Sequence, residues 1–490
     1  MSKKATSALA VIIVLGGCII AAPYVIKTKI AKQFQLIQLP GKIQEKATQQ
    51  GLNVSIKTVR YQENGLKADS TVRVFVSQLS DPSQKACFDI NNKINYGYGA
   101  FFSGNLAKIH STLENTSPDP ECGFTKNPKV QKDPVFVNII NQIFAKGSPF
   151  TSETNLPWFG GYQTTLNIAA RTITQPSESE ISAENLQFKP MQLKIKDNGK
   201  NRIKSTFQWQ GLNLASTKKT SKPSYSVNLS IGTIFAHADQ QQINELLSPV
   251  TFSLKAMPST LVIYTPNSQD TQQFKVGQIE IKNNSSLSKG IFKSDLNTRI
   301  NDLNINHVQL GHIIFNLNAN QLASGLKKFM TLRKQRLASS ASNQEFIKQH
   351  TDLLFSGMHI ELKPVAIQQK AQQIGLMGHI NIAKMTQSQT TQSTAQAIAR
   401  LKHATSADMK LTIDTTMLKN TIHAIVSTIP KFRQYTQPIT ARYMQTIQRI
   451  LLLQTRAGYF TFNKDKQEFK TQIKFNKGIF TLNGKAVRFH

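Results

Sequence analysis

The chain has 490 residues, 39% of them hydrophobic, which is enough to build packed cores and too much for a disordered tail. Lys and Arg number 59 against 27 Asp and Glu, a formal charge of +32 that suits anionic surfaces: lipid headgroups, acidic polysaccharide or nucleic acid. The cations are scattered and no nucleic-acid-binding motif accompanies them, so a solvated surface is the first reading, contact with anionic lipid the second, and nucleic acid is set aside as a partner.

Residues 1–4 form a short tail with Lys3 and Lys4. An uncharged stretch follows from Ala5 to Ile26, mostly apolar through Ala22. Crossing a bilayer takes roughly 20 such residues. The stretch reads as an uncleaved signal anchor, with the bulk of the chain outside. Two other readings stand beside it. A cleaved secretory signal needs an Ala-x-Ala-like site, of which Ala21-Ala22-Pro23 is a poor version. Leu15-Gly16-Gly17-Cys18 resembles a lipobox, with Cys18 as the acylated residue, although Ile19 to Ala22 stay apolar where a mature lipoprotein turns polar. Lys27, Lys29 and Lys32 flank the far side, which leaves the positive-inside bias weak.

Residues 27–50 form a juxtamembrane segment, helical over Gln33–Gln50 and ended by Gly51. From 51 to 383 strand signals dominate. Val54, Ile56 and Thr58 alternate, Asn64-Gly65 turns, and Val72, Val74 and Val76 keep the period of two. A hairpin lies between Met191 and Trp209, with Asn198-Gly199 in its loop. Tyr225, Val227, Leu229 and Ile231 make the cleanest alternating strand. Strand patterns resume over Thr260–Leu317, and helices near 320–355 follow, one with Leu322, Leu326 and Phe329 on its face. Strands return at Met358–Ile367 and Gly375–Ile382.

The Thr/Gln/Ser-rich stretch 384–396 is a linker to a C-terminal part, 397–490. There Asp414 caps a helix stopped by Pro430. A longer helix runs from about Pro438 to Arg456, with Gly458 as its C′ residue, and strands around Phe469–Phe475 and Ile479–Val487 close the chain. Lys431, Arg433, Arg442, Arg449 and Arg456 lie opposite the apolar stripes of these helices. The pattern fits a helix at a membrane surface, and more simply one packed on a sheet with its cations outward.

Cys87 and Cys122 are the cysteines beyond the N-terminal stretch, and in an exported chain they pair as a candidate disulfide that ties the Pro-rich loop Asn115–Pro134 to the strand near Phe88. Two independent buried thiols are the alternative. The sequence carries no His-Glu-x-x-His and no Gly-x-Ser-x-Gly. His307 and His312, five apart, would face opposite ways on a strand and cannot share a metal there. Glu178 and Glu180 sit in a Ser-rich loop. Catalytic and metal-ligating residues are therefore expected to be absent, and no cofactor is implied. Trp158, beside Pro157 and Gly160-Gly161, reads as a core anchor or as the lining of a partner site, and Trp209 as a core anchor.

Five segments then carry a resemblance: Tyr24-Val25-Ile26 after the anchor; Gly51-Leu52-Asn53-Val54 to Tyr61; Phe207-Gln208-Trp209-Gln210-Gly211-Leu212; Val308-Gln309-Leu310-Gly311 through Asn320-Gln321-Leu322; and Gly458-Tyr459 to Leu482-Asn483-Gly484-Lys485. Over essentially its full length the chain resembles the YdgA-like family of bacterial envelope proteins of unknown function. The resemblance implies a single-pass inner-membrane protein with a periplasmic body, and supplies no catalytic residues. The basic charge and the Cys87/Cys122 pair depart from the family's pattern.

The expected fold is α+β: an extended, mostly antiparallel sheet with segregated amphipathic helices, preceded by one N-terminal transmembrane helix. The expected function is non-enzymatic: a membrane-anchored periplasmic protein whose β-rich body binds lipid or another hydrophobic ligand, with the inner membrane and anionic lipid as partners. The alternatives are a scaffold of envelope complexes, working through protein partners or as a homodimer, and a hydrolase on anionic envelope polymer. The hydrolase requires a pocket that gathers carboxylates or histidines distant in sequence.

Overall fold

The computed structural model describes residues 52–78, 81–96, 102–114, 134–175, 182–218, 225–241, 248–265, 270–336, 350–385, 394–429 and 435–487, with Thr48, Ala100, Phe346 and Phe432 between them. The expected anchor and juxtamembrane helix lie outside this set, apart from Thr48. Among the described residues no helix is long and apolar enough to cross a membrane. The chain divides into two compact units, Met1–His237 and Ala238–His490.

The first unit is built from β1 (Leu52–Asn64), β2 (Lys67–Gln78), β3 (Asp81–Asn95), β4 (Asn105–Glu114), helix α1 (Pro134–Phe144), β5 (Phe150–Pro157), β6 (Tyr162–Ile168), β7 (Arg171–Gln175), β8 (Ser182–Phe188), β9 (Met191–Asp197), β10 (Arg202–Trp209), β11 (Leu212–Lys218) and β12 (Tyr225–Ile231). One antiparallel ladder runs β1-β2-β3-β4-β5-β6-β9-β10. A second runs β7-β8-β11-β12. The two are continuous through strand breaks at Ala169–Ala170, Lys189–Pro190 and Gln210–Gly211, so β6 and β7, β8 and β9, and β10 and β11 are successive halves of bent strands. Across the last two breaks, Lys189 N donates to Gly211 O (3.0 Å) and Gln210 N to Pro190 O (2.9 Å), so backbone hydrogen bonds still join the strands where the sheet bends.

The alternation read in the sequence sets the core here. Val54, Val74, Val76, Phe88, Ile90, Leu113, Phe150, Leu166 and Ile168 form one buried cluster, and Phe144 of α1 packs against it. Helix α1 is held by β7: the Gln142 amide exchanges hydrogen bonds with the Thr174 backbone, and the Arg171 guanidinium donates to Ile143 O and Gly147 O near the helix C-terminus. A cation there also complements the helix dipole. On the other face of β2 and β3, Arg73 and Asp89 are direct cross-strand partners, both buried, joined by Nε–Oδ1 at 2.8 Å and a second contact at 3.1 Å.

β13 (Ile234–Gln241) holds the boundary between the units. The second unit contains β14 (Val250–Ala256), β15 (Ser259–Thr265), β16 (Asp270–Val276), β17 (Ile279–Ser288), β18 (Ile291–Ile305), β19 (Val308–Leu322), helices α2 (Ala323–Arg336) and α3 (Thr351–Phe355), β20 (His359–Gln369), β21 (Gln372–Ile382), α4 (Thr394–Ala404), β22 (Thr405–Asp414), α5 (Thr415–Thr428), α6 (Thr436–Arg456), β23 (Thr461–Asn463), β24 (Glu468–Asn476), β25 (Ile479–Leu482) and β26 (Lys485–Ala486). Its ladder runs β14-β17-β18-β19-β20-β21-β22-β24-β25-β26, with β23 also on β24 and β15-β16 joined to β18. β21 and β22 pair across the Thr/Gln/Ser-rich stretch, of which 386–393 lie outside the described residues and Thr394 opens α4.

Helix α5 lies against β19 to β22, and α6 packs on α5. Asp414 is the N-cap, accepting from Met417 N at 2.9 Å, as the sequence predicts. At the other end of α5, Gln272 and Asn306 donate to Thr428 O and Ser427 O at 3.2 and 2.9 Å. Gly458 follows the α6 C-cap with φ +79°, also as predicted. One expected boundary shifts. Leu322 closes β19, paired with Ile291, and α2 starts one residue later, because the 15-residue ladder to β18 claims it. The architecture is antiparallel β-sheet with a few helices, an α+β arrangement.

The Arg73–Asp89 pair yields the first prediction. Asp89→Ala removes the carboxylate that faces a buried guanidinium and is expected to cost about 3–5 kcal/mol, read as a lower urea midpoint at unchanged slope.

Candidate functional site

One face of the sheet of the second unit carries one continuous apolar row. Ala256, Ile279, Ile300, Ile313, Ile367, Ile374, Ile413, Phe469 and Phe462 are successive cross-strand partners over β14, β17, β18, β19, β20, β21, β22, β24 and β23. Partners in such a row stand about 4.5–5.5 Å apart at Cβ, so their methyl groups touch from strand to strand. Ala256 and Phe469 are buried, and every isoleucine between them is only half-buried. A parallel row, Leu254, Ile281, Thr298, Phe315, Val365, Leu376 and Leu411, lies beside it. Within β14 to β18, Ala256 is the one fully buried apolar side chain among the described residues.

The first unit repeats the motif on β7-β8-β11-β12, where Ile173, Leu186, Leu214 and Leu229 are cross-strand partners, all half-buried. Nearby, Trp209 stacks on Phe188 with centroids 5.5 Å apart, and its Nε1 is buried without a hydrogen-bond partner. Trp209 is therefore a half-buried anchor on the apolar side, close to the core-anchor expectation. Trp158 is not a core residue. It is 41% exposed on the β5–β6 turn beside Phe159, at 96%, and its backbone N donates to Gly104 O on the neighbouring turn, which carries Phe102 at 82%.

The opposite face of the second unit's sheet is polar along one row. Thr251, Asn284, Asp295, Asn318, Glu361, His379, Asp408 and Lys474 are cross-strand partners in that order. A shallow cleft of about 860 Å³ opens there, lined by His359, Glu361, Lys363, His379, Asp408 and Lys410 among others. This is a gathering of histidines and carboxylates from three strands, which no spacing in the sequence announced. Its carboxylates are already engaged. Lys363 Nζ lies 3.1 Å from Glu361, Gln472 Nε2 donates to Asp408 at 2.8 Å, and Lys474 Nζ lies 3.8 Å from Asp408. The row reads as cross-strand charge pairing on a solvated face. Among the described residues no group of three or more His, Cys, Asp or Glu is placed to hold a metal.

Gly378 lines this cleft with φ +146°, and a Cβ there would stand 2.2 Å from Asp408 O and 2.6 Å from the Met409 Cα. β20 bulges at the facing position, where Leu362 pairs with Gly378 and the register then skips to Val365–Leu376 past Lys363-Pro364. Bulge and glycine together let the strands approach.

Of the residues singled out from the sequence, Cys87 is buried on β3 and disulfide-bonded; Cys122 and Cys18 lie outside the described residues. Glu178 and Glu180 lie outside them as well. His307 is in the β18–β19 turn with φ +69°, and His312 is on β19, so the two share no strand face.

Two predictions follow from this geometry. Gly378→Ala is expected to destabilise by roughly 3 kcal/mol, because backbone must shift to admit the methyl; thermal melts of the variant would report it. Peptide mapping without reduction is expected to return Cys87 linked to Cys122, and a Cys87–Cys18 link or a free Cys122 would contradict that pairing.

A family described as a bacterial protein of unknown function (DUF945) matches residues 1–490. No curated protein and no solved structure matches the chain.

Proposed function

The chain belongs to this DUF945 family, and we propose that it is a non-enzymatic protein of the bacterial envelope, of the YdgA-like kind, that holds the acyl chains of lipid against the apolar face of its sheet. In this reading Ala5–Ile26 is a signal anchor in the inner membrane and the body is periplasmic. The observation that carries the proposal is the isoleucine row of the second unit, apolar across nine strands and half-buried throughout its middle. Burial of apolar surface is worth about 25 cal/mol per Å². A row left half-covered forgoes part of that unless a ligand supplies the rest.

An acyl chain fits better than a peptide. A buried peptide brings amide groups that need hydrogen-bond partners, and this row offers only hydrocarbon. Anionic lipid also complements the net charge of +32. The scaffold reading has its own support in the exposed Phe102, Trp158 and Phe159 on adjoining turns of the first unit, an apolar group of the kind protein partners cover.

A photo-reactive phenylalanine analogue placed at Leu296 or Ile300 in the full chain, illuminated in cells, is expected to give lipid adducts by mass spectrometry. The same analogue at exposed Asn297, one residue away on the other face, is expected to give none. Equal labelling of both faces, or protein adducts alone at Ile300, would sink the lipid reading and favour the scaffold.

A further inference from the structure

Helix α6 carries a second apolar surface, and this one faces solvent. Thr440, Met444 and Leu451 form its buried side against the body. On the other side Tyr443, Ile450 and Leu453 are 49%, 50% and 52% exposed. At 100° per residue these three fall within one arc of the helix. Arg442, Arg449 and Arg456, seven residues apart and all exposed, fall in the arc immediately beside them. The 21-residue helix contains no Asp or Glu. Among the described residues none of the three arginines takes part in an ion pair.

We infer that this face of α6 docks on the surface of an anionic phospholipid bilayer, with Tyr443, Ile450 and Leu453 entering the headgroup–acyl boundary and the arginines lying along the phosphates. An apolar stripe flanked by cations is the pattern that lies in a membrane interface, and arginine stems reach outward to the headgroups from a partly immersed helix. A nucleic acid or acidic polysaccharide would answer the arginines but leave three large apolar side chains without a partner. A second copy of the chain, joined by a two-fold axis, would set this arginine file near its own image, and like charges oppose that. The inference does not rest on the apolar-face reading: a sheet that binds no lipid leaves it intact.

The test uses the full chain with Ile450→Trp, reconstituted into vesicles of phosphatidylethanolamine and phosphatidylglycerol with brominated acyl chains. Quenching is compared with that of the parent, whose Trp158 and Trp209 supply the background. Extra quenching of the new tryptophan is expected. It should fall several-fold in phosphatidylcholine vesicles, at high salt, and in the R442Q/R449Q/R456Q background, since each cation near an anionic surface strengthens partitioning by roughly fivefold. Leu453→Trp repeats the measurement from the same face should Ile450→Trp fold poorly. An absence of extra quenching at both positions in anionic vesicles overturns the inference. So does a tryptophan shielded from aqueous quencher but not reached by bromolipid, together with a dimeric mass, which would assign the face to self-association.

Discussion

Everything in this protein depends on the two-fold alternation of its strands. Successive side chains in an antiparallel strand point to opposite faces, so a meander with apolar residues at every second position produces a sheet with one oily and one wet side. The oily side must be covered. In β1 to β6 it is covered by side chains packed into a buried cluster and closed by Phe144 of α1. In β7–β12 and in β14–β18 the same alternation continues, yet almost none of its apolar side chains is fully buried. The chain keeps building the oily face after it has stopped building the cover.

The sheet tolerates this because its strands bend. In the first unit the breaks at Lys189–Pro190 and Gln210–Gly211 stand side by side and exchange backbone hydrogen bonds across them. In the second, Gly277 N donates to Asn301 O and Asn301 N to Gln278 O, beside the irregularity of β18 between Ile300 and Leu303. A flat sheet of this length would present its apolar side openly. Breaks that keep backbone hydrogen bonds between the strands let each half-strand turn against its neighbours, and the isoleucines of the row stay half-buried. The wet side of the second unit is managed differently, by alternating Asn, carboxylate, His and Lys across neighbouring strands so that each charge has an opposite or an amide beside it.

The helices follow the same economy of cover. Helix α5 is pinned at both ends, by Asp414 at its start and by Gln272 and Asn306 at its last carbonyls, and lies on β19 to β22. Helix α6 packs on α5, where His423 Nδ1 and Thr440 Oγ1 are hydrogen-bonded at 3.2 Å; Met444 and Leu451 are buried, and its other side carries Tyr443, Ile450 and the arginines into solvent. The simpler sequence reading, in which only cations face outward, fits half of that helix.

What the sequence by itself determined is local. Period-two patterns placed Val54, Val74 and Leu229 on strands; Asn64-Gly65 and Asn198-Gly199 marked hairpins; Asp414 and Gly458 marked helix ends. Each rests on chemistry within a few residues, where backbone preference and side-chain caps act without help from afar. The misplacement of Leu322 has the same logic in reverse, since a ladder to Ile291 outbid a helical spacing. What only the tertiary structure decided is register between strands far apart in the chain. The isoleucine row, the file from Thr251 to Lys474 and the gathering of His359, His379, Glu361 and Asp408 exist because particular residues on nine, eight and three strands respectively came to lie opposite one another. No spacing within one strand encodes that alignment. It is fixed by turn lengths, by the bulge at Lys363-Pro364 and by the close approach at Gly378, whose effects accumulate from strand to strand.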